Sequence, residues 1–146
     1  MKAVVQRVEN ASVYSDGKTL GSIEKGMLVL LGVRKGDGKE EVSKLADKIK
    51  KLRIFEDDRG KMNRSIEQES GQILIVSQFT LYGDCTQGNR PSFGQAADYK
   101  KAEKLYHDFL GKFEDEKGIK TESGTFGDYM KIEMTNDGPV TLILEY

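Results

Sequence analysis

The sequence predicts an α+β fold that is mainly β: an antiparallel, barrel-like sheet with two helices packed outside it. Three observations point there. Short β-rich runs outnumber helical stretches by about eight to two, hairpin-length turns separate several of them, and the regular strand–helix alternation of a doubly wound sheet is missing. The 146 residues contain no internal repeat, low-complexity tract or linker, so residues 1–146 read as a single domain.

Taken in order, Lys2 to Val8, Ser12 to Tyr14 and Leu20 to Ile23 read as three strands, with Glu9-Asn10-Ala11 separating the first two. Met27 to Val33 is a continuous apolar run bounded by glycines, the pattern of a strand buried on both faces. Between Asp37 and Lys51 the period changes. Val42, Leu45, Ala46 and Ile49 fall at i, i+3, i+4 and i+7, and Asp37 with Glu40 has capping-box spacing, so an amphipathic helix is expected. Leu52 to Phe55 is a short strand, and Met62 to Gln68 is irregular after a Glu56-Asp57-Asp58-Arg59-Gly60 turn.

Gln72 to Phe79 is another β-rich run, followed from Thr80 to Gly94 by a loop too long for a plain connection, the kind that carries function. Tyr99, Ala102, Leu105, Tyr106 and Phe109 mark a second helix, ending near the charge run Glu114 to Gly118. Ile119 to Glu122 is a strand. Met130, Ile132 and Met134 alternate with Lys131 and Glu133, and Val140 to Leu144 follows Asn136-Asp137-Gly138-Pro139, so a closing hairpin is expected there with a trans X-Pro bond.

Composition narrows the functional classes. No apolar run approaches the roughly 20 residues of a membrane span and no signal pattern opens the chain, so a cytoplasmic protein without membrane contact is expected. Net charge is −1, so any nucleic-acid contact must be local. Two basic clusters, Lys48, Lys50, Lys51 and Arg53, then Lys100, Lys101 and Lys104, read as solvated helix faces. His107 is the one histidine, off the apolar stripe of the second helix, which removes a Ser-His-Asp triad and a histidine-rich metal site. Cys85 is alone and has no identifiable activating base, and Gly32, Gly36 and Gly38 lack the Lys-Ser/Thr of a phosphate loop.

Two segments remain. Ser77-Gln78-Phe79-Thr80-Leu81 brings hydrogen-bonding side chains to the end of a buried strand, where they either form a site or satisfy sheet-edge backbone groups. Gly138-Pro139-Val140-Thr141 is the second. Together they resemble the two signature motifs of D-aminoacyl-tRNA deacylases, and Gln6-Arg7-Val8, Ala11-Ser12-Val13, Leu28 to Gly32, Arg53-Ile54-Phe55, Gly60-Lys61-Met62-Asn63, Arg90-Pro91-Ser92-Phe93 and Asn136-Asp137 also stand where that family has them.

The resemblance implies a homodimer of barrel-like subunits that hydrolyses D-aminoacyl-tRNA, and glycyl-tRNA as well, while rejecting L-aminoacyl-tRNA. It implies a cis Gly138-Pro139 peptide inserted from one subunit into the other's pocket, and Arg7 bracing the partner's loop; on the residues alone Arg7 is equally an exposed strand arginine. The backbone N–H groups of Phe79 and Thr80 are the expected oxyanion donors, with Ser77 and Gln78 beside the terminal adenosine and Phe126 stacking near its adenine. The Thr80 hydroxyl is either a nucleophile or an orienting group, and the orienting role is preferred because no base neighbours it. No metal or other cofactor is expected; the partners are a second copy and the tRNA acceptor end.

Overall fold

The computed structural model describes residues 1–114 and 118–146. The Asp115 to Lys117 part of the charge run lies outside the described residues.

Strand β1 (Lys2–Ser15) is a single 14-residue strand, where the sequence suggested two. Glu9-Asn10-Ala11 is not a turn. Register shifts in the pairing of β1 with the last strand, between Gln6 and Val8 and between Val8 and Asn10, mark a bulge that bends the strand without breaking it. The true turn is Asp16-Gly17, where both residues have positive φ, and it leads into β2 (Lys18–Ile23). Strand β3 (Gly26–Gly32) then runs antiparallel to the first half of β1, Lys2 opposite Gly32 and Val8 opposite Gly26.

Helix α1 (Lys39–Lys50) starts one residue later than the expected capping box. Glu41 Oε2, not Glu40, accepts the Gly38 N–H at 2.8 Å. The Asp37 carboxylate is drawn elsewhere, to the Met1 ammonium at 2.7 Å and the Arg34 N–H at 2.6 Å. Two short strands, β4 (Phe55–Glu56) and β5 (Met62–Arg64), pair with each other. Strand β6 (Gln72–Ser77) and, after helix α2 (Tyr99–Glu114), strand β7 (Lys120–Ser123) extend the main sheet.

The sheet is mixed rather than antiparallel. Its order is β2-β1-β3-β6-β7, and both β3–β6 and β6–β7 pairings are parallel. Parallel neighbours need a crossover, and the two amphipathic helices lie in the chain between those pairs. Near closure into a barrel brings β2 against β7: a Cβ on Gly21 would stand 3.1 Å from Glu122 Cβ and from the Ser123 carbonyl oxygen.

Side-chain alternation divides the core. Ala3, Val5, Met27, Val29, Ile73 and Ile75 face α1 and α2 and pack with Leu45, Ile49, Phe109 and Phe113. Val8, Ala11, Val13, Leu28, Leu74 and Val76 fill the barrel interior. The bulge at Asn10 is what lets Val8 and the odd-numbered Ala11 and Val13 share one face. Tyr106 links α2 to the sheet, its phenol donating to the Ile75 carbonyl at 2.9 Å with the Gly124 carbonyl at 3.2 Å. Burial pushes that phenol's pKa up, so it stays a neutral donor. Tyr106→Phe is expected to cost about 1 kcal/mol, the net worth of the lost phenol hydrogen bond, because the Ile75 carbonyl keeps the Gly124 N–H at 3.1 Å; the loss is read as a lower urea midpoint at unchanged m-value.

Strand β8 (Lys131–Glu145) replaces the expected hairpin. Both of its halves pair antiparallel with β1, from Tyr14 opposite Lys131 to Lys2 opposite Glu145, so they continue one another and do not fold back. Only the middle departs. Gln6 faces Thr141 and Val8 faces Asn136, leaving Asp137 through Val140 opposite Arg7 alone as a protruding loop. Its Gly138–Pro139 peptide is cis, unlike the trans bond expected from the residues alone.

Candidate active site

The C-terminal end of β6 opens into a cleft of about 440 Å³. The Gln78 N–H still reaches the Leu31 carbonyl at 2.8 Å, holding the chain to β3 for one residue past β6. One 3₁₀ turn, Phe79–Tyr82, follows. It can pack over the end of β3 because position 32 is glycine: a Cβ there would lie 3.1 Å from the Gln78 carbonyl oxygen and 3.2 Å from Leu81 Cβ. As the first two residues of the turn, Phe79 and Thr80 direct N–H groups that the turn itself cannot satisfy.

Ser77, Gln78 and Phe79 form one side of the cleft. Ala96, Ala97, Tyr99 and Ala102 bring the start of α2 to a second side, and Phe126 to Met130 with Ile132 close the third. The Ser77 hydroxyl has no hydrogen-bond partner among the described residues. Phe126 meets the Tyr99 ring edge-on at 5.1 Å and tilts against Tyr106 at 5.6 Å. This bracket depends on Gly127, whose φ is +82° and whose absent Cβ would lie 2.6 Å from the Tyr99 hydroxyl. Phe79 is 58% exposed and stacks edge-on against Phe93 of the long loop at 5.0 Å.

The other expected residues fall outside this cleft. Thr80 is not in its lining, and its hydroxyl is held by the Gln78 side-chain amide. Arg7, Gly138 and Pro139 form a separate group around the β8 loop. Arg7 is only 5% exposed, so it is no surface arginine. Its Nη1 donates to the Ile54 carbonyl at 2.7 Å. Its Nε lies 2.8 Å from Asp137 Oδ2 without the alignment of a hydrogen bond, so that contact is Coulombic, and Glu56 Oε1 stands 3.9 Å from Nη2. Arg7 therefore grips the loop of its own chain through Asp137. The reason is local: Arg7 is the residue opposite the excursion in the β1–β8 ladder.

His107 is exposed and touches only the Tyr106 ring edge among aromatic groups, and Cys85 is exposed. Among the described residues no cluster of His, Cys, Asp or Glu is placed to hold a metal, and no helix is long and apolar enough to cross a membrane. Sequence reading missed Tyr99 and Gly127 as parts of the cleft. The Phe126-Gly127 pair was the available signal, since a glycine beside an aromatic marks close approach of another ring.

Comparison with known proteins shows which family the chain is similar to over nearly its whole length. The family described as D-Tyr-tRNA(Tyr) deacylase matches residues 4–145. The chain is 55% identical over 145 residues to a D-aminoacyl-tRNA deacylase of Thermosipho melanesiensis, covering 99% of this chain and 97% of that one. It is 57% identical to the protein of the same name from Desulfatibacillum aliphaticivorans, with 99% of each covered. Among solved structures, "c-Myc DNA Unwinding Element Binding Protein" superposes with a TM-score of 0.90 at 42% identity, over 100% of this chain and 99% of that one. A probable eukaryotic D-amino acid tRNA deacylase superposes at 0.82 with 18% identity, over 98% and 97%, a likeness of fold. With the match running from β1 to the end of β8, this chain belongs to the D-Tyr-tRNA(Tyr) deacylase family.

Proposed function

We propose that the protein is a D-aminoacyl-tRNA deacylase: it hydrolyses the ester between a D-amino acid and the terminal ribose of tRNA, releasing the free amino acid and tRNA, and so proofreads chirality in translation. The observation that carries this reading is the separation just described. The cleft holds Ser77, Gln78, Phe79 and Phe126, whereas Gly138 and Pro139 stand outside it on an exposed loop anchored by Arg7. One chain thus carries two half-sites, and a second copy supplies the missing half to each cleft. Phe79 at 58% exposed and Ile143 at 70% exposed give such a dimer apolar surface to bury.

In the assembled site the partner's Gly138–Pro139 carbonyls hold the α-amino group and occupy the space into which an L side chain would project. Selection then reads the configuration at Cα and not the nature of the side chain. Glycine has no side chain to reject, so glycyl-tRNA is a substrate too. Phe126, steadied by Tyr99, stacks near the terminal adenine, with Ser77 and Gln78 beside the same adenosine. Water attacks the ester carbonyl, oriented by the ribose 2′-OH, and the unsatisfied N–H groups of Phe79 and Thr80 receive the oxyanion. The Thr80 hydroxyl, tied to the Gln78 amide, orients this turn and forms no covalent intermediate.

The test is a time course of D-tyrosyl-tRNA, L-tyrosyl-tRNA and glycyl-tRNA hydrolysis with wild type and Thr80→Ala, each with and without a chelator. Wild type is expected to cleave the D and glycyl esters only, indifferent to chelator, and Thr80→Ala to keep activity within about tenfold, the loss of one orienting contact. A Thr80→Ala enzyme that is dead while folded would make Thr80 the nucleophile. Persistence of all three esters would leave a binding module in place of an enzyme.

A further inference from the structure

Resting on the deacylase reading, the question is where the rest of the tRNA leaves the cleft. Two sides are open to it. Beyond Asp128 and Tyr129 lies a second depression lined by Tyr14, Asp16, Lys131 and Glu133, where carboxylates outnumber the single lysine. A polyanion is repelled there.

The opposite wall differs. Residues 33–35 run beside residues 95–97: the Ala97 N–H reaches the Val33 carbonyl at 3.0 Å, Arg34 pairs with Ala96, and the Lys35 N–H reaches the Gln95 carbonyl at 3.1 Å. Ala96 and Ala97 are cleft wall, so Arg34 and Lys35 stand one strand behind it. Lys100 and Lys101 follow cleft residue Tyr99 on the first turn of α2, and Lys101 Nζ is fixed on the Lys35 carbonyl, joining the two segments into one ridge. Arg34, Lys35 and Lys100 are exposed, and none has a carboxylate partner among the described residues. Lys104, one turn further along, differs because Asp108 neutralises it at 2.9 Å. The nearby Asp37 is consumed by the Met1 ammonium.

We propose that Arg34, Lys35 and Lys100, with Lys101 bracing them, hold phosphates of the tRNA acceptor strand, so that the RNA leaves the cleft over the first turn of α2. A protein of net charge −1 needs a local basic surface of this kind to bind a polyanion productively. It gives Lys100 and Lys101 a role beyond that of a solvated helix face.

The experiment compares wild type with the triple variant Arg34→Gln/Lys35→Gln/Lys100→Gln on two substrates, D-tyrosyl-tRNA and 2′(3′)-O-D-tyrosyladenosine, across a potassium chloride series. The adenosine ester fills the cleft and lacks the strand. Expected is a loss of at least about tenfold in kcat/KM on the tRNA, a log–log salt dependence shallower by about 2, and unchanged hydrolysis of the adenosine ester. Lys48→Gln/Lys51→Gln/Lys112→Gln removes the same charge from exposed positions elsewhere and should behave as wild type. Equal activity of both triple variants on tRNA, or an unchanged salt slope, overturns the ridge. A wild type inert on both esters overturns the deacylase reading itself. In that case anisotropy with uncharged tRNA still decides the ridge: binding must weaken in the first triple variant and not in the second.

Discussion

Gly138→Ala is expected to abolish the chiral filter and reduce hydrolysis of D-tyrosyl-tRNA by at least about 100-fold, the scale of loss that a 1 Å misplacement of a positioning group produces. Gly138 has φ +120°, a region L residues rarely adopt, and the new methyl would lie 2.8 Å from Val140 Cγ2 and 3.0 Å from Arg7 Nη2. The guanidinium cannot yield freely, because Ile54 and Asp137 hold it. The loop must therefore move, and its carbonyls with it. Because the loop is exposed, the fold should survive with a melting temperature close to wild type.

The same variant tests whether the site is shared. Gly127→Val damages the cleft wall through the Tyr99 contact but leaves the loop intact. Co-folding the two inactive chains should restore about a quarter of wild-type activity, since half of randomly paired dimers carry one intact site of two. No recovery in a sample shown to contain the mixed dimer would mean that each chain builds its site alone.

The largest expected loss of stability comes from Gly26→Ala. The added Cβ would fall 1.8 Å from the Gln72 carbonyl oxygen and 2.7 Å from Gln72 C and N, so the obstacle is backbone, which no rotamer change relieves. Gly26 opens the parallel pairing of β3 with β6, and the Gln72 N–H is bonded to Lys25 next door at 3.1 Å. Separation of the strands there should cost about 3 kcal/mol and lower Tm by roughly 10 °C. Thermal unfolding followed by circular dichroism checks it; an unchanged Tm would mean the two backbones do not approach as described. Activity should fall less than stability, because Ser77 lies at the far end of the same strand.

Period made the helices legible, although capping spacing put the start of α1 one residue early, and the glycine-bounded run from Met27 made the doubly buried β3 legible. The limits of each strand were harder. Glu9-Asn10-Ala11 is as polar as a turn, yet a bulge takes polar residues for the same reason, and only the partner strand distinguishes them. The turn that the structure does make falls at Asp16-Gly17, between the runs ending at Tyr14 and starting at Leu20. Strand direction was not legible, since the pattern Gln72 to Ser77 is the same whether the neighbour runs parallel or antiparallel. At the site, resemblance pointed to Arg7 and the Gly138-Pro139 pair, but the contact of Arg7 with Asp137 of its own chain follows from β8 pairing along all of β1, a tertiary fact. Tyr99 and Gly127 stayed hidden because each also fits a bland role, a helix stripe and a turn.

The pairing of β1 with β8 also fixes an order of events during synthesis. Lys2 must wait for Glu145, so the strand that emerges early from the ribosome keeps one half-buried edge uncovered until nearly the whole chain has followed. The docking of β8 that ends this wait also seats the Asp137 to Val140 loop against Arg7. On the reading proposed above, the group that reads the hand of Cα is therefore seated only in this closing step of folding.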